Sequence, residues 1–212
     1  MPTQPSEIGL IIFSYLLGAL PFGLLIARAK GIDLRAIGSG NIGATNTMRA
    51  LGRGWGVTAF CLDFVKGMLP AGVFAALVAS DPEVLMSLRV ACGTAAVLGH
   101  CFPVYLRFKG GKGVATGCGA IVAIDPFVFL SAGLVWLVGL ALFRFVSLSS
   151  VLMGLAFPIV AWLRHGEEPV FIGGTAMLTL LVLIRHKTNI ARIIAGTEPR
   201  IGGTTAASTA DG

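Results

Sequence analysis

The stretch Ile8 to Ala27, I-G-L-I-I-F-S-Y-L-L-G-A-L-P-F-G-L-L-I-A, runs for twenty residues without a charged side chain. An α-helix needs about twenty apolar residues to cross the roughly 30 Å hydrocarbon core of a bilayer. The stretch therefore predicts a transmembrane helix, and this decides the fold class. No basic residue precedes it, whereas Arg28 and Lys30 follow it. We therefore expect a retained anchor with its N-terminus outside the cell, not a cleaved signal peptide.

The rest of the chain has the same apolar character. Of its 212 residues, 55% are hydrophobic and only 12% are charged, and the mean hydropathy is +0.86. These values lie far from those of soluble domains and predict an all-α, polytopic integral membrane protein. The net charge of +6 does not indicate a nucleic-acid partner, because the basic residues lie in short loops between apolar runs. That distribution orients helices in a membrane.

Six more apolar runs follow the first one: Trp55 to Ser80, Val84 to Gly99, Val114 to Ile124, Phe127 to Phe145, Leu148 to Leu163 and Pro169 to Ile184. Val114 to Ile124 is short for a span, but the charges favour counting it. If it crosses the membrane, all the basic loops share one side; if it does not, the cluster Arg185 to Arg192 falls on the opposite side. The positive-inside rule therefore predicts seven transmembrane helices, with the C-terminus in the cytoplasm.

The chain shows no internal repeat and no linker long enough to separate domains. We expect a single membrane domain over residues 1–198. The tail, residues 199–212, is rich in Gly, Ala, Thr and Ser, and its composition predicts disorder.

A first polar stretch, G-S-G-N-I-G-A-T-N at residues 38–46, separates two apolar runs; we call it the first glycine loop. Its glycines, Gly38, Gly40 and Gly43, let the backbone turn and present N–H groups to an anion. Its polar side chains could add further donors; they belong to Ser39, Asn41, Thr45 and Asn46. The glycines also match a dinucleotide fingerprint, but that motif follows a strand and not a membrane helix. The other alternative, glycines that merely allow a tight loop or close helix packing, stays open.

A second stretch, F-K-G-G-K-G at residues 108–113, follows Gly99-His100-Cys101-Phe102-Pro103 and leads into an apolar run; we call it the second glycine loop. It is not a Walker A motif, because Leu106 and Gly113 occupy positions that need Gly and Ser or Thr. Lys112 at a helix N-terminus would favour an anion. The alternative is a lysine that contacts lipid head groups.

A third stretch, R-H-K-T-N-I-A-R at residues 185–192, is followed by Gly196-Thr197-Glu198. On a helix, His186 and Asn189 would share one face, which would suit a phosphorylated polyol; a structural histidine at a helix end is the alternative. Within the second apolar run, Asp63 and Lys66 lie three residues apart. Unpaired charges are costly in a membrane, so we expect these two to form an ion pair.

Several catalytic patterns are absent from the sequence. None of the three histidines is followed by aspartate five positions later, and the chain has neither a G-x-S-x-G elbow nor a D-x2-D-G metal motif. The four cysteines show no C-x-x-C pairing, so no zinc site or disulfide framework is predicted. We expect neither a metal nor a cofactor.

The three stretches together resemble the bacterial acyl-phosphate:glycerol-3-phosphate acyltransferases, the PlsY family. The resemblance rests on G-S-G-N-I-G-A-T-N with Arg49 after it, on G-H-C-F-P-V-Y-L-R-F-K-G-G-K-G-V-A-T and on R-H-K-T-N-I-A-R-I-I-A-G-T-E, in that order. It implies a seven-helix inner-membrane enzyme with its active site facing the cytoplasm. The substrates would be long-chain acyl phosphate and glycerol 3-phosphate, and the products lysophosphatidate and inorganic phosphate. This is the first acylation step of phospholipid biosynthesis.

The resemblance also implies roles for individual residues. The catalytic set would be Ser39, Arg49, Lys112, His186 and Asn189. The substrate-binding set would be Gly38, Gly40, Asn41, Gly43, Thr45, Asn46, His100, Gly110, Gly111, Gly113 and either or both of Ser149 and Ser150. Because acyl phosphate is already activated, positioning and hydrogen-bond donors could suffice without a covalent intermediate. The base could be His186 or a phosphate oxygen of the substrate.

Two other classes of function were weighed. A transporter for a phosphorylated metabolite would use the basic loops as an anion vestibule, but transporters commonly carry internal repeats and a site at the membrane midplane. A lipid-binding or assembly protein without chemistry would leave the donor-rich loops unexplained. We expect the acyl tail to lie between helices in the cytoplasmic leaflet, with membrane lipid around it.

Overall fold

A computed structural model describes residues 2 and 4–202, and every regular element in this part of the chain is helical. Eleven α-helices follow one another: α1 (Pro5–Gly18), α2 (Phe22–Ala29), α3 (Ala44–Leu51), α4 (Arg53–Leu69), α5 (Ala75–Val78), α6 (Pro82–Cys101), α7 (Val114–Ile124), α8 (Pro126–Phe143), α9 (Val146–Arg164), α10 (Pro169–Arg185) and α11 (Lys187–Ile194). A π-helical segment, Pro70–Phe74, joins α4 to α5, and a 3₁₀ turn, Val104–Leu106, follows α6. The predicted all-α class is confirmed.

Five segments within the described residues are long and apolar enough to cross a membrane: Pro5–Ala29, Arg53–Val78, Pro82–Leu106, Pro126–Phe143 and Val146–Arg164. Helices α10 and α11 together make a sixth, bent by 54° at His186. Helix α7 is apolar but has only 11 residues. The chain is therefore a multi-pass membrane protein, as predicted.

The first span is broken, although the sequence predicted one continuous helix. Pro21 has no backbone N–H and ends the hydrogen-bond ladder of α1 before α2 begins. A freed backbone carbonyl at membrane depth needs another partner. Lys66 supplies it, since its Nζ donates to the carbonyl oxygen of Leu20 over 2.6 Å. Nζ also lies 2.7 Å from Oδ1 of Asp63, so the predicted ion pair is confirmed, and both side chains are buried.

Helix α7 packs at the centre of the bundle, against α4, α6 and α8. Small residues allow its backbone to touch α4 directly: a side chain at Gly67 would collide with the carbonyl of Thr116, and one at Gly119 with the carbonyl of Phe64. Lipid tails are as apolar as leucine, so close packing of this kind is a main source of helix association in membranes. The apolar core beside α7 is centred on Phe157 and Phe171.

One end of the bundle carries the three polar stretches. Helix α3 and helix α11 are short and amphipathic and lie at this end. Residues 38–46 were expected to form a loop, but helix α3 begins within them, and its first turn includes Thr45 and Asn46. Eight residues without a long apolar run give too weak a periodicity to separate a short surface helix from a loop.

The tail predicted to be disordered covers residues 199–212. The structure describes the first four of them, and they contact the turn between α8 and α9. The backbone N–H of Ile201 donates to the carbonyl of Arg144, and Nε of Arg144 donates to the carbonyl of Ile201. Residues 203–212 lie outside the described part of the chain.

Candidate active site

The first glycine loop is held in shape by one buried amide. The Nδ2 group of Asn46 donates to the carbonyls of Leu34 and Ile37, at 2.9 Å each, and its Oδ1 accepts from the backbone N–H of Ser39 at 3.1 Å. Gly38 has φ +57°, and a Cβ there would lie 2.6 Å from Oδ1 of Asn46. Glycine is therefore required at position 38, and the Asn46 side chain is used to fold the loop.

The side chains of Ser39, Thr45 and Arg49 are exposed around this loop. Gly43 is buried and precedes α3, and no side chain of the described residues caps the start of that helix. Free amides at a helix N-terminus attract anions. The loop and the first turn of α3 thus bring exposed side chains close to the free amides, and the anion cradle stays a prediction.

The second glycine loop is attached to both α6 and α10. Arg185 donates from Nε to the carbonyl of Gly111 at 2.9 Å and from Nη2 to that of Gly110 at 2.6 Å. On the other side, the N–H of Gly111 donates to the carbonyl of His100 at 3.0 Å. A side chain at either glycine would collide with His100. The two glycines thus allow the loop to lie flat on the end of α6.

Lys112 projects from this loop toward α11. Gly113 takes φ +80° and starts α7, so the chain turns sharply just after the lysine. The Nζ group of Lys112 donates to Oδ1 of Asn189. The loop before α7 is therefore linked to α11 through Lys112 and to α10 through Arg185.

Three arginines lie close enough to Lys112 to affect its pKa. Burial lowers the pKa of Lys112 to about 8; the carboxylate of Glu198 opposes this, and the positive charges of Arg192, Arg49 and Arg185 add to it. Four cations from α3, the second glycine loop, α10 and α11 thus converge on one site. Such a cluster is built to receive an anion.

Glu198 is the acidic group of this cluster. Its Oε1 accepts from Asn189 and from Ser147, and its Oε2 accepts from Arg192, each at 2.7 Å. Burial alone would raise the pKa of Glu198, but the hydrogen bonds from these three side chains lower it below its usual value. The carboxylate therefore stays ionised and orients Asn189 and Arg192.

His186 lies at the bend between α10 and α11 and is 2% exposed. Its Nδ1 is 2.8 Å from the carbonyl of Val182, and a carbonyl can only accept, so Nδ1 carries the proton. Nε2 is then an acceptor. This is the tautomer that a general base requires.

Three predicted residues have their side chains engaged elsewhere. His100 is buried beneath the second glycine loop, with Nδ1 3.3 Å from Oγ1 of Thr116. The hydroxyls of Ser149 and Ser150 donate to carbonyls one turn earlier in α9. The serine of this segment that joins the cluster is Ser147, through Glu198.

Sequence reasoning gave no role to Ser147, Arg185 or Glu198. Glu198 did stand out as the one carboxylate within the three motifs. Arg185 and Ser147 carried no comparable signal, because their contacts join segments more than fifty residues apart.

Comparison with known proteins places this geometry in a family. The family model for glycerol-3-phosphate acyltransferase matches residues 8–196. The chain belongs to the glycerol-3-phosphate acyltransferase family. Curated relatives with that name include one from Dinoroseobacter shibae, 44% identical over 95% of this chain and 97% of the relative, and one from Aquifex aeolicus, 45% identical over 90% and 97%.

Two solved structures show the same architecture. Both are of PlsY, described as an integral membrane glycerol 3-phosphate acyltransferase. The glycerol 3-phosphate form is 43% identical, with a TM-score of 0.86 over 93% of this chain and 96% of that one. The lysophosphatidic acid form is 42% identical, with a TM-score of 0.83 over 92% and 95%. The predicted family and acyltransferase activity are thus confirmed, and the transporter alternative is not supported.

Proposed function

We propose that this acyltransferase moves a fatty acyl group from acyl phosphate to the 1-hydroxyl of glycerol 3-phosphate. The observation that carries the proposal is the convergence of Arg49, Lys112, Arg185 and Arg192 beside His186 and Asn189. Both substrates bring a phosphate, and a cluster of four cations suits such ligands. The glycerol 3-phosphate and lysophosphatidic acid forms of the PlsY neighbours agree with this substrate and product.

In this reaction the substrate hydroxyl attacks the acyl carbonyl carbon, and the bond between that carbon and the phosphate oxygen breaks. Inorganic phosphate leaves, and the hydroxyl proton passes to Nε2 of His186 or to a phosphate oxygen of the substrate. Lys112 and Arg49 would stabilise the charge on the phosphates. Backbone N–H groups of the glycine loops would stabilise the developing oxyanion. Arg185 and Glu198 would position these groups and not react.

The finer topology is also part of the proposal: seven spans, with the N-terminus outside and the active site facing the cytoplasm of the inner membrane. Counting α7 together with the bent pair α10–α11 gives seven. Helix α7 covers only about 16 Å, but it is surrounded by longer helices. At the opposite end of the bundle Asp125 pairs with Arg164 and His165, whereas Arg49, Lys112, Arg185 and Arg192 gather at the α11 end.

The topology is tested by single cysteines and a membrane-impermeant thiol reagent applied to intact cells. Cys61 is exposed and should first be replaced. Cysteines at Glu83 and Glu167 should react from outside, and one at Lys187 only after the membrane is opened. Labelling of the Lys187 position in intact cells would contradict the proposed orientation.

The activity is tested by phosphate release in nanodiscs supplied with palmitoyl phosphate and glycerol 3-phosphate. We expect release that requires both substrates and yields lysophosphatidate. Lys112→Ala should lower kcat/KM by about 100-fold or more, the scale of losing an important transition-state donor. Lys187→Ala is the matched control, because Lys187 is exposed on α11 and makes no contact in the cluster. Wild-type protein that releases no phosphate would overturn the proposal.

The acyl tail is proposed to lie between helices in the cytoplasmic leaflet, while the head reaches the glycine loops. Bulky substitutions in the spans should then change the preference for chain length, and loop substitutions should not. The ratio of kcat/KM for short and long acyl phosphates measures this. A change caused by the loops alone would refute the placement.

A further inference from the structure

A polar pocket lies beside the cluster formed by Arg49, Lys112, Arg185 and Arg192. It is open to solvent, has a volume of about 510 Å³, and is lined in part by Arg35, Ile42, Phe108, Lys109 and Arg185. None of Lys112, His186 and Asn189 lines it. The pocket is therefore formed by the outer sides of the two glycine loops.

Three of the lining side chains are cations, and no carboxylate of the described residues pairs with any of them. Arg35 donates to the carbonyl of Lys109 at 3.1 Å, and Arg185 donates to loop carbonyls. The carboxylate of Asp33 accepts from the backbone N–H of Arg35 and not from its guanidinium. The positive charge of the pocket is thus uncompensated by the protein, and an anion is the ligand that would balance it.

The rim of the pocket has the composition of a membrane interface. Phe108, which lines the pocket, is 59% exposed, and Tyr105, three residues earlier in the turn after α6, is 55% exposed. Phe108 has φ +62°, a left-handed conformation that costs a bulky residue about 1 to 3 kcal/mol and tends to persist where it has a function. Aromatic rings beside basic residues are typical of the level of the lipid head groups.

We propose that this pocket binds the phosphate of a membrane lipid, with Arg35, Lys109 and Arg185 around the phosphate and Phe108 beside the lipid glycerol. Anionic phospholipid is the expected source of that phosphate. Arg185 also holds Gly110 and Gly111, so an occupied pocket would steady the loop that carries Lys112. Only this link to activity rests on the proposed function.

Lipid retention tests the site without any assay of catalysis. Protein purified from mixed phosphatidylglycerol and phosphatidylcholine nanodiscs is analysed by native mass spectrometry. Wild-type protein should retain phosphatidylglycerol in preference to phosphatidylcholine. Lys109→Gln should weaken that retention about fivefold, since one cation near a membrane surface contributes about 1 kcal/mol. Arg107→Gln is the matched control, because Arg107 is exposed two residues away and does not line the pocket.

Kinetics separate the phospholipid from acyl phosphate, the other lipid-borne phosphate in this membrane. The KM values are measured in nanodiscs of phosphatidylcholine alone. If Lys109→Gln raises the KM for palmitoyl phosphate, leaves the KM for glycerol 3-phosphate unchanged and retains phosphatidylglycerol normally in the mixed nanodiscs, the ligand is acyl phosphate. A variant equal to wild type in both retention and KM overturns the proposal. Inactive wild-type protein that still retains phosphatidylglycerol would refute the proposed function and leave the pocket supported.

Discussion

At the residue scale, polar side chains buried at the loops decide the shape of the site. Asn46 uses its whole amide to fold the first glycine loop, and Glu198 uses both carboxylate oxygens to orient its neighbours. The sequence pointed to Asn46 as a ligand of phosphate; its hydrogen bonds give it a structural task in addition. A polar residue in a motif does not show from sequence alone whether it faces the ligand or the backbone.

Replacing Asn46 by alanine should destabilise the protein by about 3 kcal/mol, because three backbone groups, one buried and two partly buried, lose their partner. Activity should fall with it. Thermal unfolding in detergent measures the first effect. Asn41→Ala, in the same loop but half-exposed, should change stability by no more than about 0.5 kcal/mol. Equal melting temperatures for the two variants would contradict the structural role of Asn46.

The pKa of Lys112, about 8, predicts an alkaline limit to substrate binding. This pKa is lowered from 10.5, so the lysine is charged below about pH 8 and neutral above it. The KM for glycerol 3-phosphate should therefore rise between pH 7.5 and 9.5. Lys112→Arg should abolish this rise in KM, because arginine stays charged above pH 12. If the KM of the arginine variant rises over the same pH range, the rise is caused by the titration of another group.

At the scale of the elements, hydropathy located the apolar runs well. Helix α7 has the predicted bounds, Val114–Ile124, and the last span begins at Pro169 as predicted. The break at Pro21 and the existence of α3 were missed. The break depends on a partner, Lys66, supplied by another span, and no local pattern reveals a contact between residues that distant.

The contact between α4 and α7 is sensitive to a single methyl group. Gly119→Ala should destabilise the bundle by about 2 kcal/mol or more, because the added Cβ would collide with the carbonyl of Phe64. At Gly133 on α8 a Cβ would meet nothing within 4 Å. Gly133→Ala should therefore be neutral or stabilise by up to about 1 kcal/mol, through helix propensity. Melting temperatures of the two variants test this; equal shifts would be evidence against close packing here.

The pair Asp63 and Lys66 should behave as one unit. Asp63→Asn alone leaves a buried lysine charge and should cost about 3 to 5 kcal/mol. Combining it with Lys66→Met should recover part of that loss, though the carbonyl of Leu20 then keeps only the backbone N–H of Phe22 as a donor. A double-mutant cycle in thermal stability measures the coupling. Additive losses would show that the two side chains act independently.

At the scale of the whole molecule, the charges sort to the two ends of the bundle. Four cations gather around one acid, Glu198, at the α11 end, while at the other end Asp125 binds Arg164 at 2.7 Å and His165 at 2.6 Å. The hydrogen bonds of Asp125 outweigh its burial and lower its pKa to about 2. The sequence predicted this asymmetry from the positive-inside rule. The closure of the site by Glu198 could not be predicted, because it depends on how α9 and α11 lie relative to each other.

Glu198 follows in sequence every residue that it joins, and this has a consequence for protein synthesis. A ribosome builds a chain from its N-terminus, so α1 to α11 are synthesised before residue 198. Until then Asn189, Arg192 and Ser147 lack the acceptor that joins them. A transcript cut short after α11 would therefore yield an inserted but unfinished protein. The site of the newborn enzyme can therefore be completed only after residue 198 has been added.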